Sequence, residues 1–158
     1  MTDKQILINI KVVDFQSLDE IYRDLVEKAK LQTSISYAPY SQFNVGAAVL
    51  LENGQVVCGN NQENAASPSG LCAERVAMFY ANSQYPDVKP VAIAIAAKNK
   101  DGFLPNPISP CGGCRQSLLE TENRYKSPIV TLLYGTKEIF VIDRISHLLP
   151  LAFSQEYL

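Results

Sequence analysis

At 158 residues the chain has the length of one ordinary domain, enough to bury a core without disulfide staples. Hydrophobic residues make up 47% and charged residues 19%, and 14 Lys and Arg against 16 Asp and Glu leave a net charge of -2, a balance that argues against a nucleic-acid partner. No apolar run reaches the roughly 18 residues of a membrane span, and MTDKQ leads into no long apolar signal-peptide core, so the expectation is a cytoplasmic protein with no membrane partner.

In chain order, Ile6 to Val13 alternates apolar and polar residues and reads as an extra edge strand of underived role. SLDE at Ser17 to Glu20 has the form of a capping box, which predicts a helix start. Leu18, Ile21, Tyr22, Leu25, Val26 and Ala29 then follow at the spacing of one buried helical face. NVGAAVLLENGQVVCGNN is two apolar runs around Asn53-Gly54, which predicts a β-hairpin of Val45 to Leu51 and Gln55 to Cys58. A helix from about Cys72 to Asn82 comes next, then VAIAIAA at Val91 to Ala97, the continuous apolar run of a strand buried on both faces. Cys111 to about Glu122 is helical again, and IVTLLY and EIFVI supply two further strands. This alternation implies an α/β fold, a three-layer α/β/α sandwich with a mixed sheet of about five strands. The expected organisation is a single domain over 1–158, with residues 1–14 as an N-terminal arm.

Four cysteines, Cys58, Cys72, Cys111 and Cys114, in a chain without a secretory signal read as metal-binding or catalytic rather than disulfide-forming. In PCGGC, Cys111 and Cys114 stand three apart at a helix start, so both sulfurs can grip one ion. Cys72 opens the other helix, and three thiolates fill three vertices of a tetrahedron, leaving a catalytic zinc one open position. The alternative is a structural zinc closed by Cys58 or by His147, the only histidine. Such a site has no use for a glutamate beside its ligand.

Glu74 lies two positions after Cys72, about 200° around a helix, so it should face the open position and not the ion. There one carboxylate can take a proton from water and return it to a leaving group. Three thiolates and Zn²⁺ sum to -1, which makes the bound water harder to ionise. The two helix N-termini would offset this. Spacing leaves Arg75 open between a further offsetting cation and an ordinary exposed arginine.

These motifs, with YAPYSQFNVGAAVL from Tyr37, GNNQENAASPSGLCAERVA, SPCGGCRQ and LLPLAF ending at Phe153, are similar to those of the zinc-dependent cytidine deaminases in their small homotetrameric form. The resemblance implies hydrolytic deamination of cytidine and deoxycytidine to uridine and deoxyuridine by a zinc-bound hydroxide, with release of ammonia, in pyrimidine salvage. It implies one zinc per chain on Cys72, Cys111 and Cys114, proton transfer by Glu74, and hydrogen bonds from Arg75 to the thiolates. It places the base against the backbone N–H of Ala73 and the carbonyl of Ser109, the sugar hydroxyl on Asn61 and Glu63, and Phe43 beside the substrate. Phe153 matches an aromatic that reaches a neighbouring subunit's site; taken alone, both phenylalanines read as core residues. Ser67 stands where many relatives have tyrosine, and the arm before Asp14 is longer than the resemblance leads one to expect. The rival readings are a deaminase of another aminopyrimidine nucleoside, of the blasticidin S type, and a non-catalytic zinc-stabilised binding module.

Overall fold

The computed structural model describes residues 1–158. Its elements are β1 (Lys11–Val13), α1 (Glu20–Gln32), β2 (Asn44–Leu51), β3 (Val56–Asn60), α2 (Ala73–Gln84), β4 (Pro90–Asn99), β5 (Gly102–Phe103), α3 (Gly112–Tyr125), β6 (Val130–Tyr134) and β7 (Ile139–Ile142), with short 3-10 turns between and after them. The expected α/β sandwich is present, but its mixed sheet has seven strands rather than about five, in the order β1-β7-β6-β4-β2-β3 with β5 on β4. β1 and β5 make the difference. β1 is the edge strand that the alternation pointed to, shortened to three residues, and β5, with two, is too short for a period-2 pattern to announce it. Of the alternating stretch Ile6 to Val13, only Lys11–Val13 pairs, antiparallel to β7 at the sheet edge.

All neighbouring strands are antiparallel except β4 and β6, which run parallel with Ala92 opposite Val130. Parallel neighbours need a crossover, and α3 supplies it. Residues alternate across the sheet. Ala47, Val49, Ile93 and Ile95 face one way, in a core shared with Ala77 and Met78 of α2 and Leu118 and Leu119 of α3. Ala48, Leu50, Ala92, Ala94 and Ala96 face the other, against Leu25, Val26 and Ala29 of α1. The alanines on that second face leave room for α1 to lie close. The hairpin forms as expected, with Gly54 at φ 83° in its turn, a conformation that glycine adopts without steric cost.

The capping box does not form. Asp14 takes Ser17 instead, its Oδ1 accepting from the Ser17 N–H at 2.8 Å and from the Ser17 hydroxyl at 3.0 Å. This local bond winds Phe15–Ser17 into a 3-10 turn, and α1 starts behind Asp19, which makes no side-chain cap. Leu18, ahead of the helix, is buried in the core at that end, while Ile21, expected on the buried face, is 53% exposed.

Candidate metal centre and active site

Two helix starts build the centre. Cys72 is the N-cap residue of α2, with φ -72° and ψ 152°, and Cys111 is the N-cap residue of α3, with φ -66° and ψ 167°. Neither side chain caps its own helix, so both sulfurs are free to turn toward each other beside the positive helix ends. Cys114 lies in the first turn of α3 and is fully buried. The Cys72 and Cys111 sulfurs are 3.9 Å apart, and all three sulfurs lie within 4.8 Å of one another. A tetrahedral zinc about 2.3 Å from each sulfur requires a spacing of about 3.8 Å. The donor set and the spacing therefore fit zinc with one vertex left over.

Cys58 and His147 stand outside this group. Cys58 is half-buried on β3, its thiol pushed up by burial, and His147 sits in the turn Ile145–Leu148 with a buried Nδ1 that has no hydrogen-bond partner.

The Cys72 and Cys114 thiols differ in how readily they give up a proton. The Cys72 thiol is pulled down to about 5, first by a hydrogen bond from the Cys114 thiol, then by Arg75 and the Cys111 thiol. Cys114 is pushed up, chiefly as the donor to Cys72, then by burial and by the Glu74 carboxylate. The Arg75 Nη2 stands 3.8 Å from the Cys72 sulfur, so of the two readings that spacing left open, the geometry has this guanidinium beside the thiol. Glu74 is only 5% exposed, and burial, aided by the charge of Cys72, pushes its carboxyl above the usual range.

A cleft of about 580 Å³ opens beside Cys72 and Arg75, lined also by Tyr40, Asn61, Glu63 and Ser67. It brings together the two expected sugar-binding residues and one thiol. Their side chains, however, already have partners. The Asn61 Oδ1 accepts from the Val45 N–H at 2.8 Å and its Nδ2 donates to the Phe43 carbonyl at 2.9 Å. Glu63 accepts from the Tyr40 N–H at 2.8 Å, the Ser41 N–H at 3.2 Å and the Ser41 hydroxyl, which first among these holds its carboxyl below the usual carboxylate range. Phe43 is partly buried immediately before β2, whose start these bonds tie down. Ala73 is buried at the first position of α2, and Ser109 is exposed on the segment that leads from the end of β5 to Cys111. Phe153 does not enter the cleft of its own chain: it is 60% exposed and stacks on Tyr157 with centroids 5.8 Å apart. A separate cleft of about 620 Å³, between Lys126, Arg144 and the C-terminal residues, holds none of the thiols.

Two residues near the centre stand at the end of the motif SPCGGCRQ, but nothing in the sequence assigned them a role. Arg115 donates from Nε to the Pro110 carbonyl and from Nη1 to the Leu148 carbonyl, each at 2.9 Å. Gln116 donates from Nε2 to the Phe153 carbonyl at 3.0 Å.

A three-thiol cluster at two helix starts, with a buried carboxylate two residues beyond Cys72 and a polar cleft alongside, is a group that could hold a metal ion beside an acid-base residue on an α/β sheet. Residues 19–129 match the family described as the cytidine and deoxycytidylate deaminase zinc-binding region. The chain is 40% identical over 135 residues to a cytidine deaminase of Halalkalibacterium halodurans, covering 84% of this chain and 93% of that one. It is 39% identical over 133 residues to a cytidine deaminase of Sporosarcina psychrophila, covering 84% and 90%. Among solved structures, a cytidine deaminase from Burkholderia pseudomallei superposes with a TM-score of 0.71 at 34% identity, over 84% of this chain and 98% of that one. The chain belongs to the cytidine and deoxycytidylate deaminase family of enzymes.

Proposed function

We propose that this enzyme hydrolyses cytidine and deoxycytidine to uridine and deoxyuridine with release of ammonia, as a step of pyrimidine salvage in the cytoplasm. The observation that carries this reading is the burial of Glu74 beside the cluster of Cys72, Cys111 and Cys114. Zinc held by those thiolates would supply the Lewis acidity that makes water nucleophilic at neutral pH.

Glu74 then manages the protons. A carboxyl raised by burial holds and releases a proton closer to neutrality than an exposed one does. It takes the proton of the attacking water and delivers it to N3 as oxygen adds to C4. It then takes the proton of the new C4 hydroxyl and passes it to the amine as the C4–N bond breaks, so ammonia leaves, a carbonyl remains and Glu74 is a carboxylate again. Arg75 holds positive charge against Cys72, and the N–H of Ala73 and the carbonyl of Ser109 orient the base. Glu63 accepts from the sugar hydroxyl, in the place that the Ser41 hydroxyl occupies in the free chain. Phe43 packs beside the substrate, and Phe153 serves the site of a neighbour in a homotetramer, with one zinc per chain.

The test is direct. The zinc-loaded protein is incubated with cytidine, deoxycytidine, cytosine and blasticidin S, and ammonia is measured. Both nucleosides should release it, and cytosine should be worse by roughly 10⁴-fold, because a site built to bond a hydroxyl is left unpaired without one. Release from blasticidin S alone, or from none of the four, overturns the reading.

A further inference from the structure

The segment after β7 returns to the helix that carries two of the three thiols. Its first part is held by packing: Ile145 and Leu148 are buried in the core shared with α3, and Leu149 and Ala152 pack against that core. Beyond Ala152, Phe153 is exposed and stacks only on the exposed Tyr157. Packing therefore does not fix Phe153. The backbone is fixed instead by two adjacent side chains of α3 that follow Cys114 directly.

Arg115 bridges two carbonyls that are 38 residues apart in sequence, those of Pro110 and Leu148. Pro110 is the residue before Cys111, so one rigid guanidinium joins the thiol-bearing helix start to the beginning of the C-terminal segment. A planar fork suits two acceptors at fixed directions, whereas an ammonium offers a single point charge. Gln116 then holds the Phe153 carbonyl at 3.0 Å, five residues further along.

We propose that Arg115 and Gln116 are positioning residues that clasp the C-terminal segment to the start of α3 and so hold Phe153 in register with the thiol cluster. Any movement of that helix start carries Phe153 with it, and the aromatic is presented outward with its backbone fixed. The kinetic part of this proposal rests on the deaminase reading; the structural part does not.

The chain contains no tryptophan, so Phe153→Trp introduces a single reporter at the clasped position. In that background Gln116→Glu replaces the donor by an acceptor of the same shape, and the fluorescence anisotropy of the introduced indole should fall. Arg115→Lys should lower it too, and Gln116→Lys, which keeps a donor, should not. In the otherwise native chain, Gln116→Glu should raise KM for cytidine roughly fivefold, the effect of one lost hydrogen bond, with kcat within about twofold and the zinc content unchanged. Gln116→Lys should restore KM. Anisotropy unchanged by Gln116→Glu, or KM unchanged where anisotropy falls, overturns the proposal. If the native chain releases no ammonia from any substrate, the deaminase reading fails by itself, and the anisotropy pair still decides whether the clasp holds the segment.

Discussion

Glu74 sets the chain's chemistry against its stability, because a carboxyl buried to 5% exposure and pushed upward by that burial is unfavourable to ionise in the folded state. Glu74→Gln removes the charge and the proton transfer together. Zinc content should stay near one per chain by metal analysis while turnover falls by at least roughly 10²- to 10⁴-fold, the usual contribution of general acid-base catalysis. Loss of zinc along with activity would make Glu74 a structural residue. Asn61 and Glu63 separate in the same way. The Asn61 amide splints the backbone of Phe43 and Val45, so Asn61→Ala should lower the melting temperature and reduce turnover of cytidine and cytosine alike, at a cost of about 1–3 kcal/mol for the unpaired groups. Glu63→Gln should instead reduce kcat/KM for cytidine and leave cytosine nearly unchanged. Equal losses on both substrates in Glu63→Gln would remove Glu63 from sugar recognition. At this scale the pairs Cys111 and Cys114, and Cys72 and Glu74, were legible because each is set by spacing within a few residues, whereas the meeting of Cys72 with Cys111 across 39 residues and the direction Arg75 takes are not set by spacing. Arg115 was not, since one of its acceptors lies 33 residues away, nor was Glu122, whose buried carboxylate collects the N–H groups of Ile129, Ile145 and Ser146.

Among the elements, α2 is placed by a steric allowance on β3. A Cβ on Gly59 would lie 2.5 Å from the backbone nitrogen of Ala77, and one on Gly46 would lie 2.0 Å from the carbonyl of Ala29. The first holds α2 close to the sheet, the second holds α1. Gly59→Ala and Gly46→Ala should both lower stability, by the roughly 1–3 kcal/mol typical of overpacking. Only Gly59→Ala should also weaken zinc binding in a chelator competition, since α2 carries Cys72 and Glu74 while α1 carries no site residue. Equal zinc affinity in the two variants would show that the centre tolerates a shifted α2. The short edge strand β1 depends on a different device, the exposed pair of Lys11 and Asp143 at 2.8 Å. Lys11 holds the Asp143 carboxyl below its ordinary value of 3.8, and Asp143 holds the ammonium above 10.5. The acidic partner's contribution is present above the unfolded value and lost as pH falls through the folded one; the basic partner's is present below 10.5 and lost as pH rises past it. Protection factors for Val12 and Val13 should therefore decline below about pH 3.8 and above about 10.5, less steeply in high salt. A flat profile across the acid limb would leave β1 held by backbone pairing alone. The long elements were readable because periodicity accumulates over many residues. β5, the short extent of β1 and the turn that displaced the capping box are local outcomes of a few hydrogen bonds, which periodicity does not report.

For the whole molecule, the question is what covers the apolar side chains the single chain leaves out. Phe79 and Tyr80 on α2 are 46% and 57% exposed, Leu31 and Ile35 each 68%, and Phe153 60%. With a net charge of only -2, the chain has little self-repulsion to hold copies of itself apart. Exposed aromatic and aliphatic side chains in this number suit burial against further copies better than contact with water. If that burial brings Phe153 of one subunit to the cleft of another, the site is shared and no single chain is complete. Phe153→Ala and Glu74→Gln chains should each be poorly active alone. When they are mixed, unfolded together and reassembled with zinc, some sites will combine the intact Glu74 of one chain with the intact Phe153 of its neighbour. Activity should then rise above the mean of the two parents, and the protein should sediment as a tetramer at micromolar concentration. A mixture no more active than that mean, or full activity in a stable monomer, would confine each site to one chain and leave Phe153 an exposed aromatic with no part in turnover.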